Sequence, residues 1–334
     1  TLNLEPGSRY LYSNSNFMLL GLLVERLSGM KLETFLEREI FGPLGMTSTQ
    51  HTPDLRISIP HLATGYLVDE GRFIRAPHAF PLGGEGGLVS CVQDLAIWAR
   101  NATTGRVLGN GVLRAMEQAT PFTNGTPNIY ARGLAQRPYR GVPTFSHGGL
   151  WPGFRTEYLR APDQGVAVIA ISNHGAADPN LLAHRVLDIL LDRIGASPNP
   201  PLPPKEILAP MAGRYIDAAT GATLDISVSD DGVPTLSTNG LPAIAEATED
   251  GRITVPRSSS IFTVRAADAD AVEVELDAAM VSTWQRTPAE PKLPAGLPGT
   301  YLSEEMAARW EITQDGDGMV AQAGTALSMA KMLA

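Results

Sequence analysis

The chain has 334 residues, 43% of them hydrophobic and 18% charged, with a formal net charge of −9; that composition suits folded domains, two or more by size. No Lys/Arg run offsets the acidic balance, which argues against a nucleic-acid or anionic-membrane surface, because neutralising phosphates needs clustered basic residues. The longest apolar stretch, Phe17 to Val24, stops at Glu25 and Arg26, far short of the roughly 20 residues that span a bilayer.

Cys91 is the only cysteine, so an internal disulfide and a cysteine-rich zinc site are excluded. The redox compartment stays open, with the cytoplasm slightly favoured over the periplasm. The chain opens at Thr1 with no basic n-region or signal-type apolar core, so any targeting segment is expected upstream.

In chain order, Asn16 to Ser28 reads as a helix, with Phe17, Leu20, Val24 and Leu27 at helical spacing and Gly29 as its stop. A second helix is expected from Leu32 to Ile40 and a third from Gln93 to Arg100. Phe154 to Arg160 and Gly165 to Asn173 read as strands joined by the turn Pro162-Asp163-Gln164-Gly165. Val166 to Ile171 is apolar on both faces, which predicts a buried central strand. Pro179 to Ile194 follows as a helix ending at Gly195.

Ser197 to Pro204 holds five prolines and reads as a stiff linker. Beyond it, short strand-like runs alternate with turns such as Ser229-Asp230-Asp231-Gly232 and Glu249-Asp250-Gly251, the texture of an antiparallel barrel or sandwich. The region also repeats itself. Gly213-Arg214-Tyr215-Ile216-Asp217 is echoed by Gly299-Thr300-Tyr301-Leu302-Ser303, and Leu224-Asp225-Ile226-Ser227 by Trp310-Glu311-Ile312-Thr313. The expected organisation is a domain of mixed helices and strands at 1–196, a linker at 197–206, a first β-barrel module at 207–287, a linker at 288–298 and the start of a second module at 299–334. The second copy stops at half length, which predicts a chain cut at its C-terminus.

Three segments could carry chemistry. Tyr12 lies two residues before Asn14, just ahead of the first helix. A helix N-terminus and neighbouring cations would favour the phenolate and pull its pKa below the reference of about 10, making Tyr12 a candidate general base. Asn14 offers both a donor and an acceptor to orient an amide. The plainer alternative is a packing aromatic and a helix-start residue. Gly83-Gly84-Glu85-Gly86-Gly87 permits close backbone approach but has no phosphate-loop Lys-Ser/Thr, so it reads as a turn. Ser146-His147-Gly148-Gly149 sits before the strand pair, where His147 could bond a substrate or a catalytic hydroxyl and Gly148 and Gly149 would admit a ligand backbone. His51, His61, His78, His174 and His184 read as structural. No histidine pair has metal-ligand spacing, the Gly-x-Ser-x-Gly elbow is absent, and neither metal nor cofactor is expected.

Taken in order, Pro6-Gly7-Ser8-Arg9-Tyr10-Leu11-Tyr12-Ser13-Asn14, then Gly86-Gly87-Leu88-Val89-Ser90 with Asp94-Leu95, then His147-Gly148-Gly149 before a strand ending Ile171-Ser172-Asn173 resemble the penicillin-recognising serine hydrolases. That family includes class C β-lactamases, D,D-peptidases, esterases and D-aminopeptidases. The resemblance covers residues 1 to about 195. It implies an α+β fold of an antiparallel sheet flanked by helices, incomplete here and followed by β-barrel modules, an arrangement that most resembles the D-aminopeptidases. It also implies that Tyr12 is the catalytic tyrosine, Asn14 its partner, and His147 to Gly149 the third motif, where many members carry Lys-Ser/Thr-Gly. A histidine there is mostly neutral at pH 7, so anionic penicillin-like substrates are disfavoured and D-amino-acid amides, peptides or esters remain.

The family's nucleophile, a Ser-x-x-Lys opening a long helix, is expected upstream of Thr1, so the chain alone is expected to be inactive. The run Ser328-Met329-Ala330-Lys331 has the spacing but falls inside the second β copy and reads as chance. The resemblance thus implies a D-aminopeptidase-type serine peptidase or amidase acting on a small molecule or short peptide, with a homodimer left open. A carboxylesterase or β-lactamase-like hydrolase is the alternative within the class, and a catalytically silent binding protein the alternative outside it.

Overall fold

Helix α1 spans Asn14–Ser28 in the computed structural model, which describes residues 5–8, 10, 12–54, 57–69, 71–77, 83–125, 127–198, 201–219, 221–238, 241–247, 252–256, 261–276, 280–288, 296–303, 308–315 and 318–325. They divide into two units, residues 1–286 and 287–334. α1 begins two residues before the expected Asn16 and ends where Gly29 turns left-handed at φ 69°, its N–H closing on Glu25 O. Its straight-chain apolar residues favour the helix. Of its residues only Gly21 is buried, and Leu22 and Leu27 are 60% and 79% exposed. Gly21 is buried because Gly84 lies backbone-to-backbone against it. A Cβ on Gly84 would stand 2.3 Å from Phe17 O, so the glycine-rich loop is a packing element that only glycine permits.

Helix α2, Leu32–Leu36, runs into a single π-helical turn at Glu37–Phe41 and then α3, Gly42–Leu44. The expected 32–40 helix is therefore present but widened at its end, where Pro43 cannot donate a backbone hydrogen bond. Strand β1, Gln50–His51, is followed by the hairpin of β2, Tyr66–Asp69, and β3, Arg72–Arg75. Strand β4, Leu88–Val89, pairs with β1, and helices α4, Val92–Thr104, and α5, Gly109–Glu117, come next.

The site is carried by a four-stranded antiparallel sheet of β5, Ala135–Tyr139, β6, Val142–Trp151, β7, Phe154–Ala161, and β8, Val166–Ser172, in that spatial order. The turn between β7 and β8 falls at Pro162–Gln164, closed by Gly165 at φ 64°. β8 corrects one expectation. Among the described residues it is an edge strand of this sheet, not a central one, and Ala170 is its only buried residue. Both α6 and α4 lie against its two-sided apolar run, while Ile171 is 39% exposed.

Helix α6, Pro179–Arg193, starts where the Asp178 side chain accepts from Leu181 N at 2.9 Å and Pro179 takes the first turn. Its Ala183, Leu187 and Leu191 pack on Tyr139, Val142, Leu159 and Ala161 of the sheet. Arg140 pins the β5–β6 turn to the same helix through Asp188 at 2.9 Å and Asp192 at 2.6 Å.

After α7, Lys205–Leu208, come nine antiparallel strands: β9, Gly213–Ile216; β10, Thr223–Val228; β11, Pro234–Thr238; β12, Leu241–Ile244; β13, Glu246–Ala247; β14, Ile253–Pro256; β15, Ile261–Ala266; β16, Ala271–Leu276; and β17, Met280–Arg286. They form one sheet in the order β12-β11-β10-β9-β17-β16-β15-β14-β13. Its edge strands β12 and β13 are separated in sequence only by Ala245 and share no ladder among the described residues. The expected barrel is therefore a curled half-barrel sheet. Its own core contains Tyr215, Leu224, Leu236, Val264, Val272 and Trp284, with the Tyr215 hydroxyl donating to Met211 O at 2.9 Å.

In the second unit, β18, Gly299–Ser303, β19, Ala308–Asp315, and β20, Gly318–Thr325, make a three-stranded antiparallel sheet. The sequence repeat has a matching register. Tyr215 faces Leu224 and Gly213 faces Ile226 in one unit, as Tyr301 faces Trp310 and Gly299 faces Ile312 in the other.

Candidate functional site

Tyr12 reaches its place through the turn ahead of α1, where Gly7 at φ 78° accepts from Thr123 N at 2.8 Å. His147 is brought by the middle of β6, directly across from Tyr158 on β7. Between them stands Tyr130, which the sequence reading missed. Tyr130 sits at a bridge to Ala135 just before β5, and its N–H is held by Asn128 Oδ1 at 3.0 Å.

These side chains form one cluster. The Tyr12 and His147 rings lie 6.2 Å apart, Tyr12 meets Tyr130 edge-on at 6.0 Å, and Tyr10 leans on Tyr130 at 5.0 Å. The Tyr130 hydroxyl is 2.9 Å from His147 Nε2, and His147 Nδ1 is 2.6 Å from Gly148 O. Asn14 is exposed as the first residue of α1. Gly149 faces Thr156 so closely that a Cβ would lie 2.3 Å from Thr156 Oγ1, so a larger residue there would have to displace the Thr156 hydroxyl, and cross-strand packing favours a glycine. Gly148 lies opposite Glu157 in the ladder.

The electrostatics overturn one expectation. Burial raises the pKa of Tyr12, whereas a helix N-terminus was expected to lower it. Packing against two other rings removes water from the phenol, and that cost exceeds the pull of the helix end. Burial likewise lifts Tyr130, with the neighbouring Tyr12 adding to the shift. His147 is held below the usual histidine range by burial, partly offset by its bond to Gly148. The cluster at neutral pH is thus two protonated phenols and a neutral imidazole.

A nucleophile does not join them among the described residues. Ser28-Gly29-Met30-Lys31 also has the Ser-x-x-Lys spacing, a match the sequence reading passed over. Here Gly29 breaks the helix between the two residues, Ser28 Oγ accepts from Met30 N at 3.2 Å, and Lys31 is 74% exposed beside Glu25. Ser28 also closes a helix of 15 residues that starts at the site, which puts it about 20 Å away at 1.5 Å per residue. Ser328 and Lys331 lie outside the described residues.

On the opposite face of the sheet, Glu157 is 2% exposed. Side-chain bonds from Asn180 and Ser146 and the charge of Arg137 favour its ionised form, yet burial dominates and pushes its pKa up to about 7. The folded protein therefore holds this proton more tightly than the unfolded chain. The stability it contributes is complete below about pH 4.5 and is lost as the pH rises towards 7. Glu157→Gln is expected to remove about 3 kcal/mol of that pH dependence. Urea midpoints of both proteins at pH 5 and pH 8 check this, since buried His184 is common to the two; parallel pH profiles would contradict it.

A model of the beta-lactamase family matches residues 1–191. The D-aminopeptidase of Cereibacter sphaeroides is 28% identical over 265 residues, covering 79% of this chain and 49% of that protein. The D-aminopeptidase of Brucella anthropi is 26% identical over 325 residues, covering 95% of this chain and 58% of that one. The chain thus spans about half the length of these relatives. Among solved structures, the octameric penicillin-binding protein homologue from Pyrococcus abyssi superposes with a TM-score of 0.54 at 24% identity, over 84% of this chain and 66% of that one. That likeness is one of fold.

Proposed function

Because the chain belongs to the beta-lactamase family, we propose that it carries the tyrosine and histidine side of a D-aminopeptidase-type serine hydrolase, which cleaves N-terminal D-amino-acid amides or peptides through an acyl-serine. The observation that supports this reading is the meeting of Tyr12 and His147, 135 positions apart in sequence, with their rings 6.2 Å apart at the start of α1. In the proposed reaction a serine outside the described residues attacks the amide carbonyl. Tyr12 takes the serine proton and returns it to the leaving amine. Asn14 orients the substrate amide, His147 lines the cleft, and Gly148 and Gly149 let substrate backbone approach β6. Backbone N–H groups would hold the oxyanion.

Two features of the site bear on the substrate. His147 is neutral, because burial lowers its pKa, so the third motif offers no fixed cation for a carboxylate. Tyr12 is protonated when alone, so its use as a base requires a cation beside it, the part played by the lysine of a Ser-x-x-Lys. A small, non-anionic amide or short peptide fits both features.

The test is to express the complete reading frame at the locus and compare D-alanine p-nitroanilide, its L-isomer and p-nitrophenyl butyrate. Faster turnover of the D-anilide supports the proposal. Turnover of the ester alone replaces it with an esterase. No turnover of any of the three, by a folded protein that carries Ser-x-x-Lys upstream, overturns it.

A further inference from the structure

His147 has two ring nitrogens, and both are engaged. Nδ1 lies 2.6 Å from Gly148 O. A carbonyl oxygen can only accept, so Nδ1 carries the hydrogen. In a neutral imidazole Nε2 is then the acceptor, and its partner at 2.9 Å is the Tyr130 hydroxyl, which must donate. The other arrangement that gives both contacts a proton is an imidazolium donating from both nitrogens, and burial of His147 disfavours it.

We propose that Tyr130 is the positioning residue of this site: its hydroxyl donates to His147 Nε2 and, with the Gly148 carbonyl, locks the imidazole in the Nδ1–H form. The role rests on the hydrolase reading above; the proton placement does not. With Nε2 committed to Tyr130, His147 presents no N–H to the cleft. The group at the junction of Tyr12 and His147 with lone pairs to spare is then the Tyr130 oxygen, whose single proton is already given away. That polarity suits a substrate N–H and not a carboxylate, so Tyr130 also deepens the preference for amines and amides over anionic ligands.

Tyr130 is well placed to hold this orientation. It is 9% exposed, wedged between Tyr10 and Tyr12, and its backbone is fixed by Asn128 and by the bridge to Ala135. The titratable groups facing His147 are Tyr12 from the segment before α1, Tyr130 from the loop before β5, and Tyr158 across the ladder on β7. Burial pushes Tyr158 up to about 12, so all three are neutral over the range in which a histidine titrates.

The test uses the protein from the complete reading frame labelled with ¹⁵N-histidine and needs no substrate, so its failure is separate from failure of the hydrolase reading. The His147 signals are identified by their loss in His147→Gln. The expected wild-type spectrum shows a protonated Nδ1 and an unprotonated, hydrogen-bonded Nε2 for His147. In Tyr130→Phe the bond that favours the neutral ring is gone. Nδ1 stays protonated against Gly148 O, the Nε2 signal loses its hydrogen-bond shift, and the titration midpoint of His147 is expected to rise by about 0.5–1 pH unit. A wild-type His147 protonated at Nε2 overturns the proposal, and that reading holds even if Tyr130→Phe does not fold. A folded Tyr130→Phe with an unchanged Nε2 signal and midpoint overturns it equally.

Discussion

Tyr12→Phe is expected to lower kcat/KM on D-amino-acid anilides by about 10²- to 10⁴-fold in the enzyme made from the complete reading frame, the range removed with a positioned acid–base group. The substitution deletes one hydroxyl and keeps the ring, so the edge-on contact with Tyr130 at 6.0 Å and the approach to His147 at 6.2 Å persist. Stability should therefore hardly change, because the phenol is 39% exposed and makes its contacts through the ring. The loss should fall on kcat more than on KM, since the proton moves only in the transition state. Burial raises the Tyr12 pKa, so the wild-type enzyme should also depend on a nearby cation to free the hydroxyl. Steady-state kinetics beside a melting curve check this. Activity within a few-fold of wild type would assign the proton to another group.

Arg160→Met is expected to cost about 3–5 kcal/mol of folding stability, the range for removing one partner of a buried ion pair. Arg160 leaves β7 with 4% of its side chain exposed and meets Glu117 at the end of α5 at 2.6 Å. Together they wall a cavity of about 290 Å³ lined also by Phe17, Trp98, Leu113 and Met116. Without Arg160 the Glu117 side chain, 18% exposed, loses its 2.6 Å partner, and the remaining cation of the cavity lining is Arg132, whose guanidinium is engaged by the Ala115 and Gln118 carbonyls. The double substitution Arg160→Met with Glu117→Leu should recover most of the loss, because two apolar side chains leave no stranded charge. Urea unfolding of the three proteins measures both steps. Equal losses in the single and double variants would mean that packing, and not charge pairing, sets the effect.

The sequence exposed the sheet hairpin, α6 and the chemistry-bearing segments because each rests on local signals. Pro162 to Gly165 turns the chain in only one way, and Asp178 with Pro179 starts a helix wherever the chain is placed. Gly213 and Gly299 mark equivalent starts of β hairpins, and the matching register follows from the same residue types. What failed was non-local. The apolar run of β8 reads as a strand buried on both sides, but whether neighbours flank it is not written in the run itself.

The site shows the same division. Tyr12 and His147 could be found from their glycine, asparagine and helix-start surroundings. Tyr130 lies in Asn128-Ile129-Tyr130, which carries no motif; only the fold brings its hydroxyl to His147 Nε2. The direction of the Tyr12 pKa shift was misread because a helix end is visible in sequence whereas burial by distant rings is not. Ser28 and Lys31 show that spacing alone is not a site, since they match a motif while Gly29 breaks the helix the chemistry needs.

The measurement that tests the central claim most directly is mass spectrometry of the protein from the complete reading frame, quenched during turnover of a D-alanine ester. A covalent D-alanyl adduct on a serine, forming more slowly in Tyr12→Phe because the serine proton has lost its acceptor, is the predicted result. A protein that turns over the ester with no serine adduct, or whose adduct level does not respond to Tyr12, would contradict it.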